Sequence, residues 1–242
     1  MIRFLLVASC VILFLVFGII LELIEFIIGK FNKPLKDRSS LKIVQNVFRF
    51  ILFLSGVKLT VIGQENIPKN EPVLYVGNHR SFFDIVIGYT LVPNLTGFVA
   101  KKEMEKIPLL SNWMRKLYCL FLDRNDIKAG LKTILTGIDY IKNGISIWIF
   151  PEGTRNKDSE ASLLPFKEGS LKIAEKSGCP IIPVAMHHTA DIFENHFPKI
   201  KKTHVTVEFG TPIVLKELEK EERKFAGAFL QKQIEDMLRK EQ

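Results

Sequence analysis

Hydrophobic and polar positions divide the chain into an apolar N-terminal segment and a longer part of mixed periodicity. Residues 4–21 carry no charged side chain, and the apolar character continues to Ile28 with only Glu22 and Glu25 interrupting it. This run approaches the ~20 residues that a helix needs to cross a bilayer. A cleaved signal peptide would share the apolar centre, but no small-residue cleavage pattern follows, and the two glutamates lie where cleavage would occur. The pattern therefore predicts an uncleaved membrane anchor.

A second, amphipathic helix is predicted directly after the anchor. Over residues 41–54, polar side chains recur at helical spacing among apolar ones, which is typical of a helix lying in the membrane interface. These polar positions are Lys42, Gln45, Asn46 and Arg49. Residues 30–49 carry six basic side chains and Asp37 as the single acid, as expected beside a cytoplasmic leaflet. Hydropathy leaves open whether the first helix crosses the bilayer or forms a hairpin with the second within one leaflet.

From residue 57 onward, short β-branched runs alternate with helical patterns. Residues 127–141 and 218–238 each keep one apolar helical face. Such alternation predicts an α/β fold, with a mixed, largely parallel sheet flanked by helices. No repeat or linker interrupts this part, so we expect one globular domain over residues 57–242 after anchoring helices over residues 1–56. The predicted strands are 57–62, 73–76, 96–100, 118–122, 145–149, 181–185 and His204–Phe209.

Composition and charge narrow the class of partner. The chain has 242 residues, is 47% hydrophobic and carries a net charge of +8. The positive charge fits nucleic acid, a phospholipid surface or a phosphorylated substrate, and the apolar N-terminus favours the membrane over nucleic acid. The three cysteines, Cys10, Cys119 and Cys179, lack metal-ligand spacing, which indicates a reducing compartment and no disulfide framework.

Two polar clusters follow predicted strands and contain groups suited to acid–base chemistry. His79 and Asp84 lie five positions apart just after the strand at 73–76, and residues 150–155 follow the strand at 145–149. A histidine that is oriented by an aspartate can act as a general base on a hydroxyl group. Because reactive groups gather beyond the carboxyl ends of strands in open α/β sheets, the two clusters could converge on one site.

The spacing of His79 and Asp84 also fits a purely structural interpretation. Residues 81–84 match a capping box, in which Asp84 would only cap the helix that follows. From this cluster alone, the capping interpretation explains the residues at least as well as catalysis does. The two roles could also coexist in one aspartate.

Four motifs in order resemble those of the glycerolipid acyltransferases, and in particular the 1-acylglycerol-3-phosphate (lysophosphatidate) acyltransferases. The motifs are His79 with Asp84, FLDR at 121–124, FPEGTR at 150–155 and IPV at 182–184. The resemblance covers roughly residues 61–209 and implies the glycerolipid acyltransferase fold. It also implies transfer of a fatty acyl group from acyl-CoA or acyl carrier protein to the free sn-2 hydroxyl of lysophosphatidate, forming phosphatidate in phospholipid biosynthesis.

The resemblance implies roles for individual side chains. His79 would take the proton from the acceptor hydroxyl, and Asp84 would hold the imidazole in the correct tautomer. The residues implied in substrate binding are Lys101, Arg124, Glu152, Gly153, Thr154 and Arg155. The two arginines would pair with phosphate oxygens, and Glu152 would accept from a glycerol hydroxyl. Taken singly, the arginines could equally form surface ion pairs with nearby acids, namely Asp123, Asp126 or Asp158.

The same resemblance sets expectations for partners and location. The bilayer, lysophosphatidate and acyl-CoA or acyl carrier protein would be the partners, with no nucleic acid and no cofactor beyond the acyl donor. The anchor and the basic residues that follow it independently predict a membrane-bound protein with its catalytic domain on the cytoplasmic face, at the plasma or inner membrane if the protein is bacterial. No metal is expected, because the histidines near Asp191 lack zinc-type spacing. Cys119 could in principle carry an acyl group, but a cysteine in an apolar run is more typical of a buried position.

Two other functions stay open at this point. The same acyl transfer could use another acceptor, such as glycerol 3-phosphate, another lysophospholipid or a lyso aminolipid. A non-catalytic membrane protein that binds anionic lipid would explain the charge and the anchor, but not His79 and Asp84. Kinases, dinucleotide enzymes and ordinary lipases are disfavoured, because glycine-rich nucleotide loops and the Gly-x-Ser-x-Gly pattern are absent from the sequence.

Overall fold

The structure, a computed structural model, describes residues 1–158 and 162–240. Within these residues one sheet contains β1 (Lys58–Ile62), β2 (Leu74–Gly77), β3 (Thr96–Lys101), β4 (Leu120–Leu122), β5 (Ser146–Ile149), β6 (Ile181–Met186) and β7 (His204–Phe209). The strand order is β1-β7-β6-β2-β5-β3-β4. Neighbouring strands are parallel except for β6 and β7, which pair antiparallel. The predicted mixed, largely parallel sheet is confirmed.

Helices cover both faces of this sheet. They are α1 (Ile2–Phe31), α2 (Lys33–Ser55), α3 (Phe83–Leu91), α4 (Leu110–Lys116), α5 (Ile127–Lys142), α6 (Lys172–Ser177), α7 (Lys220–Lys224) and α8 (Ala226–Arg239). Buried side chains of α2, α3 and α4 contribute to the core on one face, and those of α5, α6 and α8 to the core on the other. The helices predicted at 127–141 and 218–238 are present, the second as two helices that meet at Phe225.

The central strands are buried on both faces, which explains their continuous apolar runs. In β2, Leu74 and Val76 contact the core beneath α5, α6 and α8, while Tyr75 points into the opposite core. Tyr75 stacks on Trp148 of β5 with ring centroids 4.9 Å apart. Because successive side chains alternate between the faces of a strand, β2 can anchor both cores and hold its carboxyl end rigidly.

Helices α1 and α2 form a hairpin around Asn32. The Asn32 side chain caps α2 by accepting from the N–H of Leu35 at 3.0 Å. Near the hairpin turn, the buried Glu25 of α1 accepts from the hydroxyls of Ser39 and Ser40 of α2 at 2.9 and 3.0 Å. A carboxylate inside the apolar segment is therefore hydrogen-bonded to the neighbouring helix, as a buried charge requires.

Helix α1 runs along the α/β domain and keeps much of its apolar surface exposed. Phe4 stacks on Phe193 with centroids 5.7 Å apart, and Phe14 contacts Trp113 at 5.1 Å. In the part of the chain that the structure describes, α1 is the one helix that is long and apolar enough to cross a membrane. Its most apolar stretch of 18 residues has a mean hydropathy of 3.1. Its exposed apolar side chains indicate membrane association.

The predicted interfacial helix at 41–54 is part of the longer helix α2, and one of its polar positions is corrected. Gln45 is buried rather than solvated: its side-chain amide donates to the carbonyls of Tyr89 and Val92, both at 3.0 Å, at the end of α3. The last carbonyls of a helix lack partners within the helix, so a neighbouring glutamine can satisfy them. Helical periodicity alone cannot distinguish such a glutamine from a solvated one.

Candidate active site

Asn78 connects the end of β2 to the end of β6. Its side-chain amide donates to the carbonyl of Met186 at 2.9 Å, and its side-chain oxygen accepts from the N–H of Met186 at 2.8 Å. Asn78 is fully buried, so these two bonds satisfy its amide group away from water. The chain therefore leaves the sheet in a defined direction, and the next residue, His79, lies at the carboxyl edge.

The side chains of His79 and Asp84 meet at this edge. Nδ1 of His79 lies 2.7 Å from Oδ2 of Asp84, which also accepts from the N–H groups of Arg80 and Ser81 at 2.8 Å each. An ionised carboxylate can only accept, so Nδ1 of the imidazole carries a proton. Among the described residues Nε2 has no hydrogen-bond partner, and the side chain is 16% exposed. Nε2 is therefore the nitrogen available to a substrate.

Asp84 also stabilises the start of α3, so its contact with the imidazole and its bonds to the backbone of the turn coexist, while its catalytic role stays a prediction. Besides the bond from the N–H of Ser81 to Asp84, the hydroxyl oxygen of Ser81 accepts from the N–H of Phe83 at 2.9 Å. This reciprocal pattern resembles a capping box at the first turn of the helix. The carboxylate that contacts the imidazole is thus fixed by the backbone of the turn.

The loop after β5 holds His79 from the other side. Glu152 accepts from the N–H of His79 at 2.8 Å, and the N–H of Asn156 donates to the His79 carbonyl at 2.7 Å. The ring of Phe150 stacks on the imidazole, with centroids 4.2 Å apart and planes inclined by 13°. The predicted convergence of residues 150–155 with His79 is confirmed, because β2 and β5 are neighbours in the sheet.

Glu152 occupies a buried position rather than an open pocket wall. The residue is 2% exposed, and its second carboxylate oxygen accepts from the N–H of Leu164 at 3.0 Å. Burial raises the pKa of the Glu152 carboxyl, and the N–H groups of Leu164 and His79 counter that rise. The expected bond from a glycerol hydroxyl stays a prediction, while the contacts present give this carboxylate a positioning role toward His79.

Arg155 lies beside the turn that carries His79. Its guanidinium lies 3.9 Å from the centre of the Phe82 ring, and Nη1 donates to Glu194 at 3.1 Å. Arg155 therefore forms an ion pair, as the alternative interpretation of the sequence suggested. The acidic partner is Glu194 and not one of the nearby aspartates. Arg155 is thus held against the turn that follows His79, and its side chain is 35% exposed.

Arg124, Gly153 and Lys101 line the same edge of the sheet. Arg124 is close to Gly153, since a Cβ built on that glycine would lie 3.7 Å from Cζ of Arg124. Gly153 has φ +75°, a conformation that favours glycine. Arg124 and Lys101 are exposed, and among the described residues neither side chain forms an ion pair; Asp123 instead lies 3.7 Å from Lys102. Thr154, between Gly153 and Arg155, is also exposed.

Glu194 is the site residue that the sequence did not predict. One carboxylate oxygen accepts from the Ser81 hydroxyl at 2.6 Å, and the other accepts from the N–H of Phe82 at 2.8 Å and from Arg155. Glu194 thereby joins the turn after β2 to the loop after β5. It lies more than a hundred residues from Ser81 along the chain, so no spacing or periodicity could have identified it.

Metal-binding side chains and Cys119 were the other candidate groups in the sequence. Within residues 1–158 and 162–240, no cluster of three or more His, Cys, Asp or Glu side chains could hold a metal ion, and the absence of a metal requirement stays a prediction. Cys119 is buried with Sγ 3.2 Å from the Tyr89 hydroxyl, and burial raises the pKa of its thiol. A raised thiol pKa disfavours the thiolate, so Cys119 is a poor nucleophile.

Comparisons with known proteins point to one kind of enzyme. A family model described as "Acyltransferase" matches residues 58–187, which is more than half of the chain. A 1-acyl-sn-glycerol-3-phosphate acyltransferase of Saccharomyces cerevisiae is 30% identical over 224 residues, covering 92% of this chain and 71% of that protein. One of Haemophilus influenzae is 34% identical over 195 residues, covering 78% and 75%.

A solved structure is similar over almost the whole length. The crystal structure of the 1-acyl-sn-glycerophosphate (LPA) acyltransferase from Thermotoga maritima matches with a TM-score of 0.81 and 26% identity. The match covers 97% of this chain and 94% of that one. It therefore extends beyond the α/β domain to the N-terminal helices.

Proposed function

This chain belongs to the acyltransferase family, and on that premise we propose that it acylates the sn-2 hydroxyl of 1-acylglycerol-3-phosphate to form phosphatidate in phospholipid biosynthesis. The observation that carries the proposal is the 2.7 Å contact between His79 and Asp84 at a sheet edge lined by Arg124 and Arg155. The acceptor is supported by the relatives, which are named for 1-acyl-sn-glycerol-3-phosphate.

The proposed reaction is a direct transfer with His79 as general base. Nε2 takes the proton of the acceptor hydroxyl, whose oxygen attacks the thioester carbonyl carbon. The new ester C–O bond forms, the C–S bond breaks, and the departing thiolate takes the proton back from the imidazolium. The Asp84 carboxylate keeps Nδ1 protonated and offsets the positive charge that develops on the ring. Since the thiolate is a good leaving group, the proposal needs neither an acyl-enzyme intermediate nor a cofactor.

The acceptor phosphate would bind to the cations at the sheet edge. Arg124 and Lys101 are exposed and unpaired among the described residues, so they can meet an anion without first losing a partner. Arg155 is oriented by Glu194 and by the Phe82 ring, and its planar group can bind phosphate oxygens in pairs. Gly153 and Thr154 would contribute the floor of the acceptor pocket between the arginines.

We further propose that the protein works at the cytoplasmic face of a membrane. The exposed apolar surface of α1 and the basic residues that follow it support binding to an anionic leaflet. Since α1 packs along the domain at Phe4 and Phe14, a hairpin inserted in one leaflet fits these contacts better than a helix projecting away from the domain. Acceptor, acyl chains and product would then stay in the bilayer during the reaction.

The direct test is an acyl-transfer assay with the purified full chain in detergent. Labelled acyl-CoA and acyl carrier protein are each offered with lysophosphatidate, glycerol 3-phosphate, another lysophospholipid and a lyso aminolipid. We expect labelled phosphatidate as the main product with at least one of the two donors. Preferential acylation of another acceptor would refute the assigned substrate, and no transfer to any acceptor while vesicles are still bound would favour a lipid-binding protein.

Arg155→Ala should raise the KM for lysophosphatidate by about 10- to 100-fold, because a hydrogen bond to a charged group contributes ~1.5–3 kcal/mol. The KM for the acyl donor should not change, since the donor thioester carries no phosphate at that position. Arg239→Ala, at an exposed arginine of α8, is the matched control and should leave both constants unaltered. An equal rise in both constants for Arg155→Ala would contradict a role in phosphate binding.

Glu194→Gln should lower the KM for lysophosphatidate by about 2- to 5-fold, since ion pairs near the surface contribute ~0.2–1 kcal/mol. Glutamine can keep the bonds to the Phe82 N–H and the Ser81 hydroxyl, and its neutral oxygen competes with the phosphate for Arg155 more weakly than a carboxylate does. Glu194→Ala removes those bonds and should lower kcat instead. If the glutamine variant raises the KM, Glu194 acts only by positioning Arg155.

A further inference from the structure

A cavity of about 690 Å³ lies beside the core formed by α6 and α8, away from His79. Its walls come from α6, the segment after β7, and the junction of α7 and α8. Side chains that line it and bear on its chemistry are Phe166, Lys172, Lys216, Arg223, Lys224 and Phe225. The volume is within the range of ~300–1,000 Å³ that is usual for small-molecule sites.

The charged side chains of residues 216–224 face this cavity according to their sign. Residues 216–224 contain four basic and four acidic side chains. Three of the basic ones, Lys216, Arg223 and Lys224, line the cavity, and none of the four glutamates does. Among the described residues these three cations form no ion pair, whereas Lys172 on the opposite wall is paired at 2.7 Å with Glu175, the one acidic side chain in the lining. The cavity therefore concentrates uncompensated positive charge although the segment itself is neutral.

An aromatic side chain stands next to these cations. Phe225 is 56% exposed at the rim, and Nζ of Lys224 lies 5.1 Å from the centre of its ring. Phe166 contributes a second ring to the wall. Cations that can pair with phosphates, beside rings on which a base can stack, are the groups that recognise a phosphorylated nucleotide.

The cavity is connected through the backbone to the candidate active site. Phe166 on its wall follows Leu164 by two residues, and the N–H of Leu164 donates to Glu152, which also accepts from the N–H of His79. A ligand with a charged head in the cavity and a long flexible arm could follow residues 164–166 toward His79. Acyl-CoA has this construction, with a phosphorylated adenosine at one end and the thioester at the other.

We propose that this cavity binds the phosphorylated adenosine of an acyl-CoA donor, an inference that rests on the proposed acyl transfer. Lys216, Arg223 and Lys224 pair with the phosphates, and the adenine lies against Phe225. The cations beside the Phe225 ring favour the nucleotide of acyl-CoA, because adenine can stack on the ring while the phosphates meet the cations. The donor is thereby held at a place separate from the phosphate site of the acceptor.

The test compares donors with and without the nucleotide, using the double variant Lys216→Gln/Arg223→Gln in the full chain. The KM for acyl-CoA should rise at least about 10-fold, since two charge-assisted contacts are lost. The KM for an acyl-pantetheine thioester, which has the arm but no nucleotide, and the KM for lysophosphatidate should stay the same. Lys220→Gln is the matched control, because Lys220 is an exposed lysine of α7 that does not line the cavity.

Direct binding separates this proposal from the proposed function. Adenosine 3′,5′-bisphosphate should bind the wild-type protein in calorimetry and bind the double variant at least about 10-fold more weakly. Equal KM changes for acyl-CoA and acyl-pantetheine, or an equal effect of Lys220→Gln, would overturn the cavity assignment. So would a wild-type enzyme that accepts only acyl carrier protein. Nucleotide binding that depends on Lys216 and Arg223 without any phosphatidate formation would support the cavity while refuting the acyl transfer.

Discussion

Replacing His79 with alanine will lower kcat for phosphatidate formation by about 10²–10⁴-fold, the contribution that a positioned general base typically makes. The imidazole is bonded through Nδ1 to Asp84 and stacked on Phe150, so Nε2 is the atom available to the acceptor hydroxyl. Alanine leaves no group at this position that can take the proton. Initial rates with labelled acyl donor at saturating lysophosphatidate measure the loss.

A matched histidine variant separates this effect from a general disturbance of the protein. His204 at the start of β7 is exposed, with Nε2 2.8 Å from the Thr60 hydroxyl at the edge of the sheet. His204→Ala should keep full turnover, and both variants should bind vesicles like the wild type because α1 is unchanged. Turnover retained by His79→Ala would show that another group acts as the base.

The strands could be predicted from the sequence because the sheet is central to the fold. In β2, β5 and β6 every residue is buried, so each strand is a short continuous apolar run. Their order could not be predicted. The antiparallel pairing of β6 with β7, which places Val184 opposite Phe209, depends on tertiary contacts between distant segments. Local propensity carries no information about which strands become neighbours.

The convergence of the two polar clusters could be predicted from the sequence, because both clusters follow parallel strands of one sheet. Val76 at the end of β2 pairs with Ile149 at the end of β5, so the residues that follow both strands must emerge side by side. The network that holds them could not be predicted. Glu152 bonds to the backbone of a residue 73 positions away, and Glu194 binds two segments that share no pattern with it. Both carboxylates accept from backbone N–H groups, which every residue except proline possesses, so the sequence does not mark these contacts.

Because of this network, we expect substitution of Asp84 to reduce both stability and activity, whereas substitution of a residue that only orients an imidazole would reduce activity alone. Its Oδ2 accepts from three donors at once: His79 and the N–H groups of Arg80 and Ser81. Asp84→Ala leaves two buried N–H groups without a partner, and each such group costs ~1–3 kcal/mol. We expect the free energy of unfolding to fall by about 2–4 kcal/mol, as measured by urea denaturation, together with a loss of activity as large as that of His79→Ala.

Asp84→Asn distinguishes the charge of this residue from its hydrogen bonds. The position facing the imidazole is surrounded by three donors, so the asparagine must place its oxygen there and its amide nitrogen at the other carboxylate position. Nδ1 then stays protonated and the turn stays folded, while the negative charge that offsets the imidazolium is lost. We expect kcat to fall by about 10²-fold. The free energy of unfolding should fall by about 1–3 kcal/mol, because the amide nitrogen then lies at the Oδ1 position, which is buried without a hydrogen-bond partner. A loss of activity as large as that of Asp84→Ala, in a variant that is still folded under the assay conditions, would mean that the charge contributes nearly the whole effect and that orientation adds little.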